Sequence, residues 1–221
     1  MKKWLIFFCF SLSLYANPVD DLKAKVSQGL PNLYGWCTKE KALSFIDLVL
    51  EVKPDVCVEI GVFGGRSLLP VAATLQFLGR GVVIGVDPWS KEEAIRHFDP
   101  VKDQPHINWW AQVNYDEIYN SYLNMLTQYQ LEDYVITLRT TSALASYAIG
   151  PIDILYLDGN HNERVSNRDV KLYLPKVRPG GYIWLNDSLL DNLQSSLNLL
   201  FETCDCLNVI DGGNTILFRK R

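Results

Sequence analysis

Short apolar runs, two of which end at an acidic residue, constrain the fold of this chain more than any other feature. Val56–Ile60, Val82–Val86 and Ile152–Leu157 are such runs, and the last two end directly before Asp87 and Asp158. Apolar runs of this length without polar alternation are typical of strands buried on both faces of a parallel sheet. Such a sheet needs helices on both faces, so we predict an α/β protein.

The remaining segments predict a Rossmann-like, doubly wound, mostly parallel sheet that ends in an antiparallel hairpin. Further strands are expected at Tyr134–Leu138 and Tyr182–Leu185. Near the C-terminus, Leu207–Ile210 and Thr215–Phe218 flank the turn residues Asp211-Gly212-Gly213, which is the pattern of a hairpin. Helical spacing is found at residues 38–52, 67–78, 115–129, 142–148, 162–176 and 189–203.

The first 16 residues have the pattern of a secretory signal peptide. Lys2 and Lys3 precede an apolar stretch from Trp4 to Tyr15, and Ala16 is a small residue at a cleavage position. A buried N-terminal helix, or a start codon assigned too early, would explain the same residues. With the leader accepted, residues 17–37 are an N-terminal extension and residues 38–221 the main domain.

Composition limits the partners of this chain. The formal net charge of -4 gives no electrostatic reason to expect nucleic acid. Membrane contact is expected only transiently, through the leader, and a homo-oligomer is compatible with the sequence. Cys57 lies in an apolar strand and is predicted to be an inert buried thiol. A disulfide among the other cysteines stays open if the protein is exported.

Polar residues cluster at the ends of four predicted strands. The clusters are Glu59–Ser67, Asp87, Asp158–His161 and Asn186–Asp187. In open α/β sheets, ligands bind in the crevice beyond the carboxyl ends of the strands. The convergence of four clusters at that edge therefore predicts a binding site there.

The first cluster is a glycine-rich turn between a strand and a helix. Gly61 and Gly65 permit a tight turn and the approach of a ligand to bare backbone. Asp87, at the end of the next strand, is placed to accept hydrogen bonds from ribose hydroxyls. Turn geometry alone would also explain the glycines, and a turn cap before Pro88 would explain Asp87. The glycine spacing is not that of a dinucleotide-binding fold.

These motifs together resemble a known superfamily. The Glu-x-Gly-x-x-x-Gly turn of Glu59, Gly61 and Gly65 resembles the S-adenosylmethionine (SAM) motif of class I SAM-dependent methyltransferases. Segments 85–89, 158–161 and 178–181 resemble the macrocin-type sugar O-methyltransferases. More distantly they resemble the catechol and caffeoyl-CoA O-methyltransferases. The similarity covers roughly residues 40–220.

The resemblance implies a role for each motif residue. The cofactor would be SAM, with Asp87 at its ribose, Ser142 near its adenine and the glycine turn at its methionine end. The implied cofactor-binding residues are Glu59, Gly61, Gly65, Ser67, Asp87 and Ser142.

The resemblance also implies O-methylation of a small hydroxylated acceptor. His161 would act as the base beside Asp158, and Asp158, Asn186 and Asp187 would bind Mg²⁺ as a second cofactor. Asn186 stands where the family more usually has an acid, which reduces the charge of such a site. A surface position for His161 and a turn cap at Asn186 and Asp187 are the alternatives.

The aromatic residues of segment 88–119 allow two interpretations. They could form the wall of an acceptor pocket or cover the edge of the sheet. These residues are Trp89, Trp109, Trp110, Tyr115 and Tyr119. Residues 88–110 are expected to form a long loop with at most a short helix.

Two other functions compete with methyl transfer. One is a nucleotide-dependent oxidoreductase on a similar sheet, which the glycine spacing disfavours. The other is an exported SAM-fold binding module without activity. The leader favours a periplasmic or secreted protein, whereas SAM is made in the cytosol, so the sequence leaves the localisation open.

Overall fold

A seven-stranded sheet between two layers of helices forms the core of the computed structural model, which describes residues 17–221. The predicted signal peptide, residues 1–16, lies outside the described residues. The strands are β1 (Val56–Ile60), β2 (Val82–Val86), β3 (Val135–Leu138), β4 (Ile152–Leu157), β5 (Val177–Asn186), β6 (Cys204–Ile210) and β7 (Thr215–Lys220).

The strand order is β3-β2-β1-β4-β5-β7-β6, and β1 to β5 are parallel. Strand β7 is antiparallel to both of its neighbours, β5 and β6. The predicted doubly wound sheet with a C-terminal antiparallel hairpin is confirmed. Because the connections reverse direction between β1 and β4, a crevice opens at the carboxyl ends of these two strands.

Helices cover both faces of the sheet. One face carries α1 (Pro18–Gly29), α2 (Lys39–Val52), α3 (Leu68–Leu78) and α6 (Tyr115–Tyr129). The opposite face carries α7 (Ser142–Ala145), α8 (Glu163–Tyr173) and α9 (Gln194–Thr203). Alternation along β1 explains the two layers, since Cys57 packs in the first layer and Val58 and Ile60 in the second.

Three segments differ from the sequence-based expectation. Residues 88–110 contain two short helices, α4 (Lys91–Ala94) and α5 (Gln104–Ala111), instead of a long loop. Strand β5 begins at Val177 and so includes the turn expected at residues 179–181. Its pairing with β4 shifts register between Ile152 and Ile154. Residues 17–37 contain α1, whose Leu22 and Val26 are buried in the same core as α2 and α3.

Among the described residues, no helix is long and apolar enough to cross a membrane. The cysteines of this part of the chain are free thiols, with Cys57 buried as predicted and Cys206 exposed.

Candidate functional site

A cavity of about 640 Å³ opens at the carboxyl ends of β1, β2, β4 and β5. Its volume is in the range of small-molecule and cofactor sites. All the predicted site residues line this cavity except Glu59 and Gly65; they are Gly61, Ser67, Asp87, Ser142, Asp158, His161, Asn186 and Asp187. The four strand-end clusters therefore meet in one place, and Gly61 and Asp87 face the same space.

Gly61 brings the ends of β1 and β4 into contact. Its backbone has φ +88, and a Cβ atom there would lie 2.0 Å from the carbonyl oxygen of Asp158. Its amide donates to the carbonyl of Val86, 2.9 Å away. A side chain at position 61 would force these strand ends apart, so the cavity requires glycine at this position.

The Asp87 carboxylate fixes the glycine turn from the end of β2. One oxygen accepts from the amides of Val62 (3.0 Å) and Phe63 (2.9 Å), and the other accepts from the amide of Trp89 (2.7 Å). A carboxylate offers about four lone-pair positions, so one remains for a ligand hydroxyl. Burial raises the pKa of Asp87, and the three amide contacts oppose that rise. Asp87 thus acts as a turn cap and still lines the cavity.

Glu59 and Gly65 support the turn from behind the cavity. The buried Glu59 carboxylate accepts from the Ser67 hydroxyl at 2.5 Å, and burial raises its pKa well above the ordinary value. Gly65 has φ +81, and a Cβ atom there would lie 2.5 Å from Met125 and 2.9 Å from Tyr122. The structure therefore places these residues beneath the turn, where they shape it.

Ser142 lies at the other end of the cavity and contacts α8. Its hydroxyl donates to Asp169 at 2.6 Å, and the Tyr173 hydroxyl donates to its carbonyl at 2.7 Å. Burial raises the pKa of Asp169 to about 6, although Ser142 and Arg168 oppose the rise. Asp169 and Arg168, which the sequence analysis did not single out, also line the cavity.

Two arginines bring donors to the cavity wall. The Nε atoms of Arg66 and Arg168 are buried and make no hydrogen bond within the described residues, although Arg168 Nε lies 3.6 Å from Asp169 Oδ1 as an ion pair. Arg66 also donates through Nη1 to the carbonyl of Gly35 (2.9 Å). Unsatisfied buried donors are costly, so a ligand with an anionic group and acceptor nitrogens fits this cavity. The carboxylate and adenine of SAM have these properties.

His161 lies between the two strand-end acids. Its Nε2 is 3.0 Å from Asp187 Oδ2 and 4.0 Å from Asp158 Oδ1. Burial lowers the pKa of His161, but the contacts with Asp158 and Asp187 raise it more, to about 9. The pKa of Asp187 is lowered despite burial, because His161 stabilises its charged form.

The side-chain amide of Asn186 turns its nitrogen toward the acids. Nδ2 donates to Asp158 Oδ1 at 2.9 Å and to Asp187 Oδ2 at 3.0 Å, while Oδ1 accepts from Lys41 and Thr215. Asp158, His161 and Asp187 do lie close enough to share an ion. However, Mg²⁺ prefers a set of oxygen ligands, and here an N–H donor occupies the position expected of an oxygen. The arrangement does not fit the Mg²⁺ site that the family resemblance implies.

Aromatic side chains form one wall at the mouth of the cavity. Trp36 stacks on Phe63 with ring centroids 5.2 Å apart and lies 5.4 Å from Trp109. Trp36 and Trp109 are 61% and 48% exposed, so their ring faces are accessible to a ligand. By contrast, Trp89 is buried against Tyr119 and Tyr122. The aromatic segment therefore contributes Trp109 to the cavity mouth and Trp89 to the core.

Sequence reasoning missed Trp36 and His106 at this mouth. Trp36 precedes the motif-bearing domain, and His106 lies on α5 within the expected loop. His106 Nε2 accepts from Trp110 Nε1 at 2.9 Å, and burial followed by repulsion from His161 lowers its pKa. No local pattern marks either residue, because the tertiary fold brings them to the cavity.

Comparison with known families identifies the class of the protein. Residues 58–188, more than half of the chain, match a family described as a methyltransferase domain. The chain belongs to this methyltransferase family. No curated protein is similar enough in sequence to match it.

Solved structures share the whole fold at low sequence identity. The O-methyltransferase NovP is 14% identical, with a TM-score of 0.68 over 92% of this chain and 98% of that protein. TomG, an O-methyltransferase from Streptomyces achromogenes solved with SAM, is 15% identical, with a TM-score of 0.61 over 96% and 93%. A Bacillus cereus O-methyltransferase solved with SAH is 14% identical, with a TM-score of 0.59 over 95% and 94%. The resemblance to the class I methyltransferases is confirmed by the family match, and these O-methyltransferases share the fold.

Proposed function

We propose that this protein is a SAM-dependent O-methyltransferase that acts on a small hydroxylated acceptor. One observation carries the proposal: a single cavity joins the glycine turn and Asp87 to the pair Asp158 and His161. The first group suits an adenosyl ligand, and the second can remove a proton from a hydroxyl.

Three parts of the cofactor are each proposed to contact a different group of residues. The free lone pair of Asp87 accepts from ribose, and Arg66 supplies charge for the methionine carboxylate at the end of the glycine turn. Ser142, Arg168 and Asp169 border the adenine. When bound, SAM supplies an electrophilic methyl group.

His161 is proposed to take the proton of the acceptor hydroxyl. Its Nε2 faces Asp187 Oδ2 at 3.0 Å, which leaves Nδ1 to accept a proton. Asp158 and Asp187 hold the ring and stabilise the imidazolium after proton transfer. A hydroxyl is a poor nucleophile until it loses its proton, so this step prepares the acceptor oxygen for methylation.

The exposed faces of Trp36 and Trp109 are proposed to hold the acceptor. A planar ring, or the apolar face of a sugar, would bury surface against these indoles and leave its hydroxyl near His161. NovP and TomG are O-methyltransferases, which supports the same reaction type here.

The direct test is transfer of a labelled methyl group from SAM to a panel of phenols, catechols and sugars. We expect at least one hydroxylated acceptor to be methylated on oxygen. His161→Ala should lower turnover strongly while SAM affinity stays nearly constant. An equal loss of turnover and SAM affinity in His161→Ala would contradict the role of His161 as a base.

A further inference from the structure

A buried lysine reaches the catalytic end of the cavity from the first layer of helices. Lys41, on α2, is only 2% exposed, and its Nζ lies 2.6 Å from Asn186 Oδ1 and 3.5 Å from Asp211 Oδ2. Lysine is rarely this buried unless it is paired, because the ammonium group loses its hydration. Burial of the Lys41 ammonium is therefore unfavourable by itself, and the contacts with Asn186 and Asp211 offset this loss of hydration.

The Lys41 ammonium determines which way the Asn186 amide points. With Oδ1 accepting from Lys41 and from the Thr215 hydroxyl (2.8 Å), Nδ2 is directed at the two acids. The reversed amide would place its nitrogen against the ammonium and its oxygen against both carboxylates. That orientation would lose the three contacts with Lys41, Asp158 and Asp187 and replace them by repulsion, so the observed one is favoured.

Donors also reach every oxygen of the two acids. Tyr156 donates to Asp158 Oδ2 at 2.8 Å, and Asn214 donates to Asp187 Oδ1 at 2.8 Å. Asn186 contacts the remaining oxygen of each acid, and His161 also lies at Asp187 Oδ2. An ion held by Asp158, His161 and Asp187 would have to break the contact between His161 and Asp187 and approach the Asn186 amide hydrogens. Protein groups thus already provide the positive charge and the hydrogen bonds.

We propose that Lys41, acting through the Asn186 amide, takes the place of a divalent cation in this chain. Lys41 is a positioning residue: it holds the amide that holds Asp158 and Asp187 beside His161. This inference rests on the proposed function, in which His161 is the base. Its test measures metal binding and not activity, so the two proposals can fail separately.

The test is a titration of the full-length protein with MnCl₂, in which electron paramagnetic resonance reports free Mn²⁺. The wild type is expected to show no stoichiometric Mn²⁺ site. Binding of one Mn²⁺ per wild-type chain that Asp187→Asn abolishes would overturn the proposal. Absence of a site in the wild type supports the proposal without any variant, and Asp187→Asn serves only to locate a site that the titration finds.

A pair of matched variants tests the role of the ammonium. Asn186→Asp combined with Lys41→Met supplies a third carboxylate and removes the cation. Asn186→Asp combined with Lys39→Met makes the same charge change but keeps Lys41, since Lys39 is exposed on the same helix. We expect the first double variant to bind Mn²⁺ about tenfold or more tightly than the second, because ligand charge sets cation affinity. Equal affinities would contradict the role of Lys41.

Discussion

At the scale of single residues, the protonation state of His161 determines the pH range in which it can act as a base. Its pKa of about 9 means that it is protonated at neutral pH. A base must be unprotonated, so kcat/KM should rise with pH through about 9 and then level off. Asp187→Asn removes one of the charges that raise this pKa and should move the midpoint to lower pH. Steady-state kinetics across this range measure the shift, and an unmoved midpoint would contradict the coupling.

Arg66 provides a second prediction at this scale. Its unpaired Nε at the cavity wall suits an anionic partner. Arg66→Ala should weaken SAM binding by about tenfold to a hundredfold, the range for hydrogen bonds to charged groups. Arg80→Ala is the control, because Arg80 is half-exposed and pairs with Asp55 away from the cavity. Calorimetry measures the SAM affinity of both variants. Equal SAM affinities in Arg66→Ala and Arg80→Ala would show that Arg66 does not contribute to SAM binding.

The site residues that the sequence predicts and those that it misses differ in how far apart along the chain their partners lie. Gly61 and Asp87 follow directly from strands, so their position is a local property of the sequence. Lys41 lies in a helix that also contains the exposed Lys39, and its partner Asn186 is 145 residues away along the chain. No local pattern marks such a pair, and only the tertiary fold reveals it.

At the scale of elements, the strands were predictable and the segments that close the cavity were not. The central parallel strands β1, β2 and β4 are largely buried on both faces, which leaves continuous apolar runs in the sequence. Helix α5 has only 8 residues, with a proline in its first turn and no buried residue, so it is too short to show a repeated apolar pattern. The extension before residue 38 carries no motif, although α1 belongs to the core.

The aromatic wall gives a prediction for the segment before α2. Trp36→Ala removes an exposed indole that stacks on Phe63 at the cavity mouth. We expect KM for the acceptor to rise by about tenfold, the effect of losing one aromatic contact, with SAM affinity nearly unchanged. Tyr147→Ala, at a residue 90% exposed outside the cavity lining, is the matched control. A Trp36→Ala enzyme with an unaltered acceptor KM would exclude this wall from acceptor binding.

The N-terminal segment also has a stability prediction. Leu30, directly after α1, is 2% exposed within the first core layer. Leu30→Ala should lower the free energy of unfolding by about 2–5 kcal/mol, through lost burial and the cavity it leaves. Gln28→Ala, at an exposed neighbouring position, should have little effect. Urea denaturation compares the two, and a loss for Leu30→Ala no larger than the control would show that the extension does not stabilise the domain.

At the scale of the whole molecule, the proposed SAM dependence and the predicted leader favour different compartments, because SAM is made in the cytosol and a leader directs export. The leader lies outside the described residues and stays a prediction. The class of the protein was predictable because it depends on the order of motifs along the chain. The shape of the acceptor space was not, since α5 and the segment around Trp36 meet only in the folded protein.

Calorimetric titration of the protein with SAM tests the central claim most directly. The glycine turn and Asp87 are predicted to bind SAM at one site per chain, and Asp87→Ala should weaken that binding. NADH should give no binding heat, because the turn lacks the dinucleotide spacing. A folded protein that binds no SAM, with or without Mg²⁺, or that binds NADH instead, would contradict the account.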